Sequence, residues 1–192
     1  MKTIATGCLA GLVILMGAST STANEFEAAL QELAKSRVQA LVNDPAIVAA
    51  IQTQNQQHAG MAEDQIIALD KNWRAEVGSA ATPTIDPVLN GAVADMLRAM
   101  RDESDGLFTE IFVMDNLGLN VAASDTTSDY WQGDEAKWQQ TYPAGAGAVH
   151  ISEVELDEST QTYQAQVSVS IAGPDGSAVG AATFGVNVEY LE

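Results

Sequence analysis

Lys137 is the last of the chain's eight lysines and arginines, and no other follows Arg101, although sixteen of the 26 Asp and Glu residues do. Around it in sequence stand Tyr130, Trp131, Trp138 and Tyr142. A carboxylate buried without a counter-charge is strongly disfavoured, so a pocket for one needs Lys, Arg or several converging N–H donors. A lone cation among aromatic side chains therefore suits a small anionic ligand. Lys137 is the candidate anchor, Tyr130 or Tyr142 hydroxyls would add donors, and Trp131 and Trp138 would flank the ligand. The competing readings are an ordinary exposed pair between Asp134 and Lys137, worth only about 0.2–0.5 kcal/mol at that spacing, and a purely packing role for the tryptophans.

Four further side chains join the candidate set. His150 opens an expected strand beside Ser152, where it either donates to a carboxylate or stands exposed. Gln166, Ser168 and Asn187 occupy the polar side of two alternating segments and become a pocket floor only if that side is roofed. An enzyme is not indicated: His58 and His150 lie far apart, and no nucleophile elbow, phosphate loop, cofactor motif or zinc-protease motif occurs. Asp125, Asp129, Asp134 and Glu135 could offer oxygen ligands to calcium, although their spacing does not fit an EF-hand loop.

These residues need elements to position them. Phe26, Leu30, Leu33, Arg37 and Leu41 recur at steps of three and four, which predicts an amphipathic helix from near Asn24. Asp44-Pro45 caps a resumed helix carrying Ile47, Val48 and Ile51. Further helices are expected over residues 62–77, with Ile66, Leu69 and Trp73 on one side, and over 88–100 after a second capping pair, Asp86-Pro87. Past Gly106 the period changes to that of strands, expected at 107–114, 119–124, 149–156, 163–171 and 178–190. In the last pair Tyr163, Ala165, Val167, Val169 and Ile171 share one face, with Phe184, Val186 and Val188 on the matching face of the partner. The opposite face carries Gln164, Gln166, Ser168 and Ser170, with Thr183, Gly185 and Asn187. Residues 125–147 form a long aromatic connection, and large aromatics need a surface to rest on. Folded over the polar face, this connection would enclose a ligand cage.

The amino terminus reads as an export signal. Lys2, an apolar run from Ile4 to Met16, and small residues ending Ser21-Thr22-Ala23 have the order of a cleaved leader over residues 1–23. The alternative is a retained anchor, for which the run falls short of the ~20 residues that span a bilayer. Removing the leader takes Cys8, the one cysteine, and moves the net charge from −18 to −19 by the loss of Lys2. So acidic a surface disfavours nucleic acid and anionic lipid as partners. The remaining residues 24–192 are expected to form one domain, with a helical front over 24–104 and a sheet over 105–192, lying in the periplasm or outside the cell and not inserted in a membrane.

The ordered set of Leu69-Asp70-Lys71-Asn72-Trp73, the turn with Asp115 and Gly118, Asp129-Tyr130-Trp131, and the terminal Gly180-Ala181-Ala182-Thr183-Phe184-Gly185-Val186-Asn187 resembles a Cache sensor domain of the single-module, PDC type. The resemblance implies an α+β fold: a PAS-like five-stranded antiparallel sheet with long N-terminal helices packed on one face. It also implies one small-ligand pocket between the sheet and the connection. Relatives of this type bind short carboxylates such as acetate, propionate or pyruvate, and others bind amino acids. The chain has no aspartate near Asn187 and no Arg-x-Trp-Tyr arrangement in the connection, which tilts the expectation toward a carboxylate. A membrane receptor or kinase is the expected partner, and self-association through the helices is expected to be open to it. The alternatives are a structural or interaction module of the same fold, and a site for an amino acid or calcium.

Overall fold

A computed structural model describes residues 26–157 and 162–191; the expected leader lies outside them. The first helical stretch runs through α1 (Glu27–Leu33), a π-helical turn (Ala34–Val38) and α2 (Gln39–Val42). Its buried residues are Leu30, Ala34, Val38 and Val42, while Arg37, expected in the apolar stripe, is exposed. The π turn explains the difference: i→i+5 bonding widens the helix, so that a step of four keeps to one face. The helix α3 (Pro45–Gln57) begins as expected, with the Ala46 N–H donating to the Asp44 carboxylate at 2.8 Å. Then come α4 (Glu63–Glu76), α5 (Asp86–Leu89) and α6 (Ala92–Asp102). Asp86 does not cap: its carboxylate accepts from the Thr82 hydroxyl at 2.7 Å, and the expected single helix is divided at Asn90-Gly91.

Six strands follow: β1 (Phe108–Met114), β2 (Asn120–Ala123), β3 (Val149–Ile151), β4 (Glu155–Asp157), β5 (Thr162–Ala172) and β6 (Ala178–Asn187). The antiparallel order is β2-β1-β6-β5-β3, with β4 also on β5. This is the α+β, PAS-like architecture that the resemblance implies, with one change. The expected third strand is split into β3 and β4, because three residues (152–154) face two (165 and 166) on β5. Ser152 causes the break. Its N–H donates to the Gln166 carbonyl at 3.0 Å, but its hydroxyl, in place of its own carbonyl, accepts from the Gln166 N–H at 2.8 Å. At the other end β6 stops at Asn187, whose side chain accepts from the Glu189 N–H at 3.1 Å and opens a 3-10 turn over Val188–Tyr190.

The helices cover the apolar face. Leu30, Val38, Ile47, Ile51 and Leu97 pack against Ile111, Val113, Val167, Val169, Ile171, Phe184 and Val186. Each such side chain contributes about 1.5–3 kcal/mol on burial. Tyr163, at the end of that face and opposite Leu156 of β4, lies beyond the helical cover and is 52% exposed.

Candidate functional site

The connection from Asp125 onward does lie on the polar side of the sheet, and α4 holds it there. One oxygen of the Asp70 carboxylate accepts the N–H groups of Tyr130 at 2.9 Å and Trp131 at 3.1 Å. The Trp73 indole donates to the Thr127 carbonyl at 2.9 Å. The same stretch pairs with the edge of β2 through Asn120 N–H to the Tyr130 carbonyl (3.1 Å) and Gln132 N–H to the Gly118 carbonyl (2.7 Å). Farther on, the Ser170 hydroxyl donates to the Gly145 carbonyl at 2.7 Å and accepts from the Ala148 N–H at 3.0 Å.

The aromatic side chains pack solidly and do not ring an empty cage. Tyr130 stacks on Trp73 with ring centroids 5.3 Å apart, inside a second cluster with Phe112, Met114, Leu119 and Ala181. Burial, and after it the charge of Asp115, pushes the Tyr130 phenol well above its ordinary range. The Trp131 indole donates to the Leu117 carbonyl at 2.9 Å, and that of Trp138 to the Asp115 carbonyl at 3.1 Å. Trp138 in turn stacks on Tyr142 at 5.5 Å. The polar floor below is closed as well: Ser168 and Thr183, both fully buried, share a hydroxyl–hydroxyl bond of 2.9 Å, and Asn187 is engaged at the end of β6.

Beside this filled region a cleft of about 740 Å³ remains on the same face. Its walls are Thr109 and Glu110 of β1, the loop from Asp125 to Ser128, Glu135 and Lys137, the arm from Ser152 to Leu156, and Gln164 to Gln166 of β5. Of the nine candidates, Lys137 and Gln166 line it; Tyr130, Trp131, Trp138, Tyr142, His150, Ser168 and Asn187 do not. Glu110 is a wall residue outside the nine candidates. Its signal in the sequence is a single charge within a nearly continuous apolar run at 107–114.

The short helix α7 (Ala136–Gln139) sets Lys137 over β1, its Nζ 5.6 Å from the centre of the Phe112 ring. The partner is Glu135 at 2.9 Å and not Asp134, and Gln132 Oε1 accepts from the same ammonium at 3.1 Å. His150, opposite Ser168 in the ladder, has its pKa lowered by partial burial and then by the charge of Lys137. The acids considered for calcium are spread among separate partners: Asp125 pairs with Arg101, Asp129 with Arg74, and Glu135 with Lys137. Among the described residues no group of three or more His, Cys, Asp or Glu side chains is placed to hold a metal ion. Nor is any described helix long and apolar enough to cross a membrane.

No family model matches the chain, and no curated protein does. Solved structures do, among them sensory domains, the class to which the sequence resemblance points. The extracellular domain of a histidine kinase aligns at 16% identity and a TM-score of 0.43, covering 86% of this chain and 61% of that one. The sensory domain of the Campylobacter jejuni chemoreceptor Tlp3 with isoleucine bound aligns at 12% and 0.39, covering 86% and 62%. The ligand-binding domain of the Pseudomonas aeruginosa amino-acid chemoreceptor PctC with GABA aligns at 13% and 0.39, covering 88% and 65%. The chain thus spans about three fifths of the length of these structures. Identities this low transfer no residue role.

Proposed function

We propose that the chain is an exported sensory module whose ligand is a small molecule bearing a protonated amine, with amino acids the leading class, held in the polar-face cleft. The observation that carries this is the charge of the lining. Among the described lining residues Glu110, Asp125, Glu135, Glu153 and Glu155 are acidic and Lys137 is basic; Asp125 is paired with Arg101 and Glu135 with Lys137, which leaves the cleft net acidic. A ligand with only a carboxylate would enter a field of its own sign, whereas an ammonium group would be drawn in. An amino acid also has a place for its carboxylate. A lysine ammonium has three N–H donors, and Glu135 and Gln132 account for two.

A short carboxylate such as acetate, propionate or pyruvate is the second reading. It is favoured by the placement of Lys137, whose side chain lines the cleft at only 12% exposure. Export rests on the leader pattern, and reading of the bound state by a membrane receptor or kinase rests on the sequence resemblance to Cache sensor domains. Thermal unfolding against amino acids, simple amines, the three carboxylates and calcium separates the possibilities, because a ligand at about 100 times its Kd adds about 2.7 kcal/mol of stability. Amine-bearing compounds should raise Tm, and Glu110→Gln should reduce the shift. Stabilisation by carboxylates alone would establish the second reading, and no response to any compound would favour a structural or interaction role.

A further inference from the structure

Glu135 is fixed by the start of α7. Its backbone is extended (φ −107°, ψ 153°), and its carbonyl accepts from Trp138 N–H at 3.1 Å and Gln139 N–H at 2.9 Å. Gln132 holds Lys137 from the other side. Only 1% exposed, it donates through Nε2 to the Asp129 carboxylate at 2.6 Å and the Asp129 carbonyl at 3.1 Å, which turns its Oε1 to the ammonium. With the Phe112 ring beneath it, the Lys137 head group is held independently of the charge on Glu135.

We infer that Glu135 determines specificity: by pairing with Lys137 it withholds that charge from ligands carrying a carboxylate and no amine, so that simple acids are rejected while amino acids are admitted. This rests on the reading of the cleft as the ligand site. The Glu135 side chain is 40% exposed and Glu135→Gln keeps an oxygen acceptor in place, so the substitution changes charge with little change of shape. The cleft lining then carries one carboxylate fewer. An incoming carboxylate then meets an uncompensated lysine, and an incoming amine loses one attractive charge.

Three matched probes read this out: L-valine, its decarboxylated analogue isobutylamine, and its deaminated analogue 3-methylbutanoate. Calorimetric titration gives the affinities, and amide shifts at Gln164 and Gln166 report whether binding is in the cleft. In the wild type valine and isobutylamine should bind and 3-methylbutanoate should not. Glu135→Gln should raise the 3-methylbutanoate affinity by about tenfold or more and weaken isobutylamine, each tenfold corresponding to one desolvated charge contact of ordinary strength. Adding Lys137→Gln to that variant should abolish the gain, and Glu135→Asp should restore the wild-type ratio. If the wild type binds valine in the cleft and Glu135→Gln leaves the amine-to-carboxylate ratio unchanged, the role of Glu135 is overturned and the amine reading stands. If no probe shifts the two glutamine amides in the wild type, the cleft reading falls, and the inference with it.

Discussion

Asp70 of α4 receives the backbone N–H groups of both Tyr130 and Trp131 on a single carboxylate oxygen, while its second oxygen accepts from Arg74 Nε at 2.7 Å. A side chain thus does for this stretch what a neighbouring strand does elsewhere: it satisfies donors that would otherwise be buried and unpaired. Because the loop from Asp125 to Ser128 walls the cleft and runs directly into Tyr130, the same contact sets where that wall stands.

Asp70→Ala should therefore cost about 2–6 kcal/mol, the penalty for two stranded N–H groups at roughly 1–3 each. Asp70→Asn keeps a carbonyl acceptor and should cost about half as much. Urea unfolding of the two variants checks the order, and equal losses would mean that the ion pair with Arg74, not the backbone contact, carries the effect.

Gly118 makes the second close approach to the connection. Its φ is 83°, and a Cβ there would lie 2.6 Å from both Cα and N of Gly133. Gly60 has nearly the same conformation, φ 77°, but a Cβ at that position would meet nothing within 4 Å. Gly60→Ala should cost about 1–2 kcal/mol for the left-handed backbone alone. Gly118→Ala should cost clearly more, since backbone cannot yield as a flexible side chain does, and should also weaken ligand binding by displacing Gln132 and its hold on Lys137. Similar losses in the two variants would remove the crossing as a structural constraint.

Much of this arrangement is legible in the residues alone. Val167, Val169 and Ile171 alternate with Ser168 and Ser170 at the strand period, and Asp44-Pro45 punctuates the helices through local chemistry, so both survive intact. The aromatics of the connection are legible as side chains needing cover. Whether they line a hollow or fill it is not, because burial is demanded either way and the outcome depends on Trp73, some sixty residues distant. The partner of Lys137 turns on one boundary: with α7 beginning after Glu135, that residue stays extended and reaches the ammonium, where a helix begun at Asp134 would have paired positions three apart. The cleft walls depend on the interruption at Ser152 and on the pairing shift between Phe108 and Glu110, both set by strands far apart in sequence.

Asp115 should prove the most costly carboxylate to remove. It is fully buried at the β1–β2 turn and accepts from Leu117 N–H (2.8 Å), Leu119 N–H (2.9 Å) and Gln54 Nε2 (3.1 Å), with His58 Nδ1 at 2.7 Å. Asp115→Ala should cost about 3–5 kcal/mol, because it strands several buried donors at once, each at roughly 1–3 kcal/mol. His58→Ala leaves the other three donors in place and should cost about 1–2 kcal/mol. Equilibrium unfolding of the single variants and the double variant gives the coupling, and additive losses would show that the two side chains act independently.

His150 supplies a pH signature of the polar face. Partial burial and then Lys137 lower its pKa in the folded chain, so between that lowered value and the unfolded value of about 6.5 the unfolded chain binds more protons. The contribution of the neutral imidazole is therefore complete above about pH 6.5 and is lost as the pH falls through that value toward the folded pKa. The carboxylates are common to wild type and variant and drop out of the difference between them. The stability difference between wild type and His150→Gln should accordingly be flat above about pH 7 and shift against the wild type as the pH falls below about 6.5. Lys137→Gln should shrink that shift, because it removes the like charge while leaving burial in place. A difference that stays flat from about pH 8 to 5.5 would mean that His150 titrates alike in both states and feels neither the sheet nor the lysine.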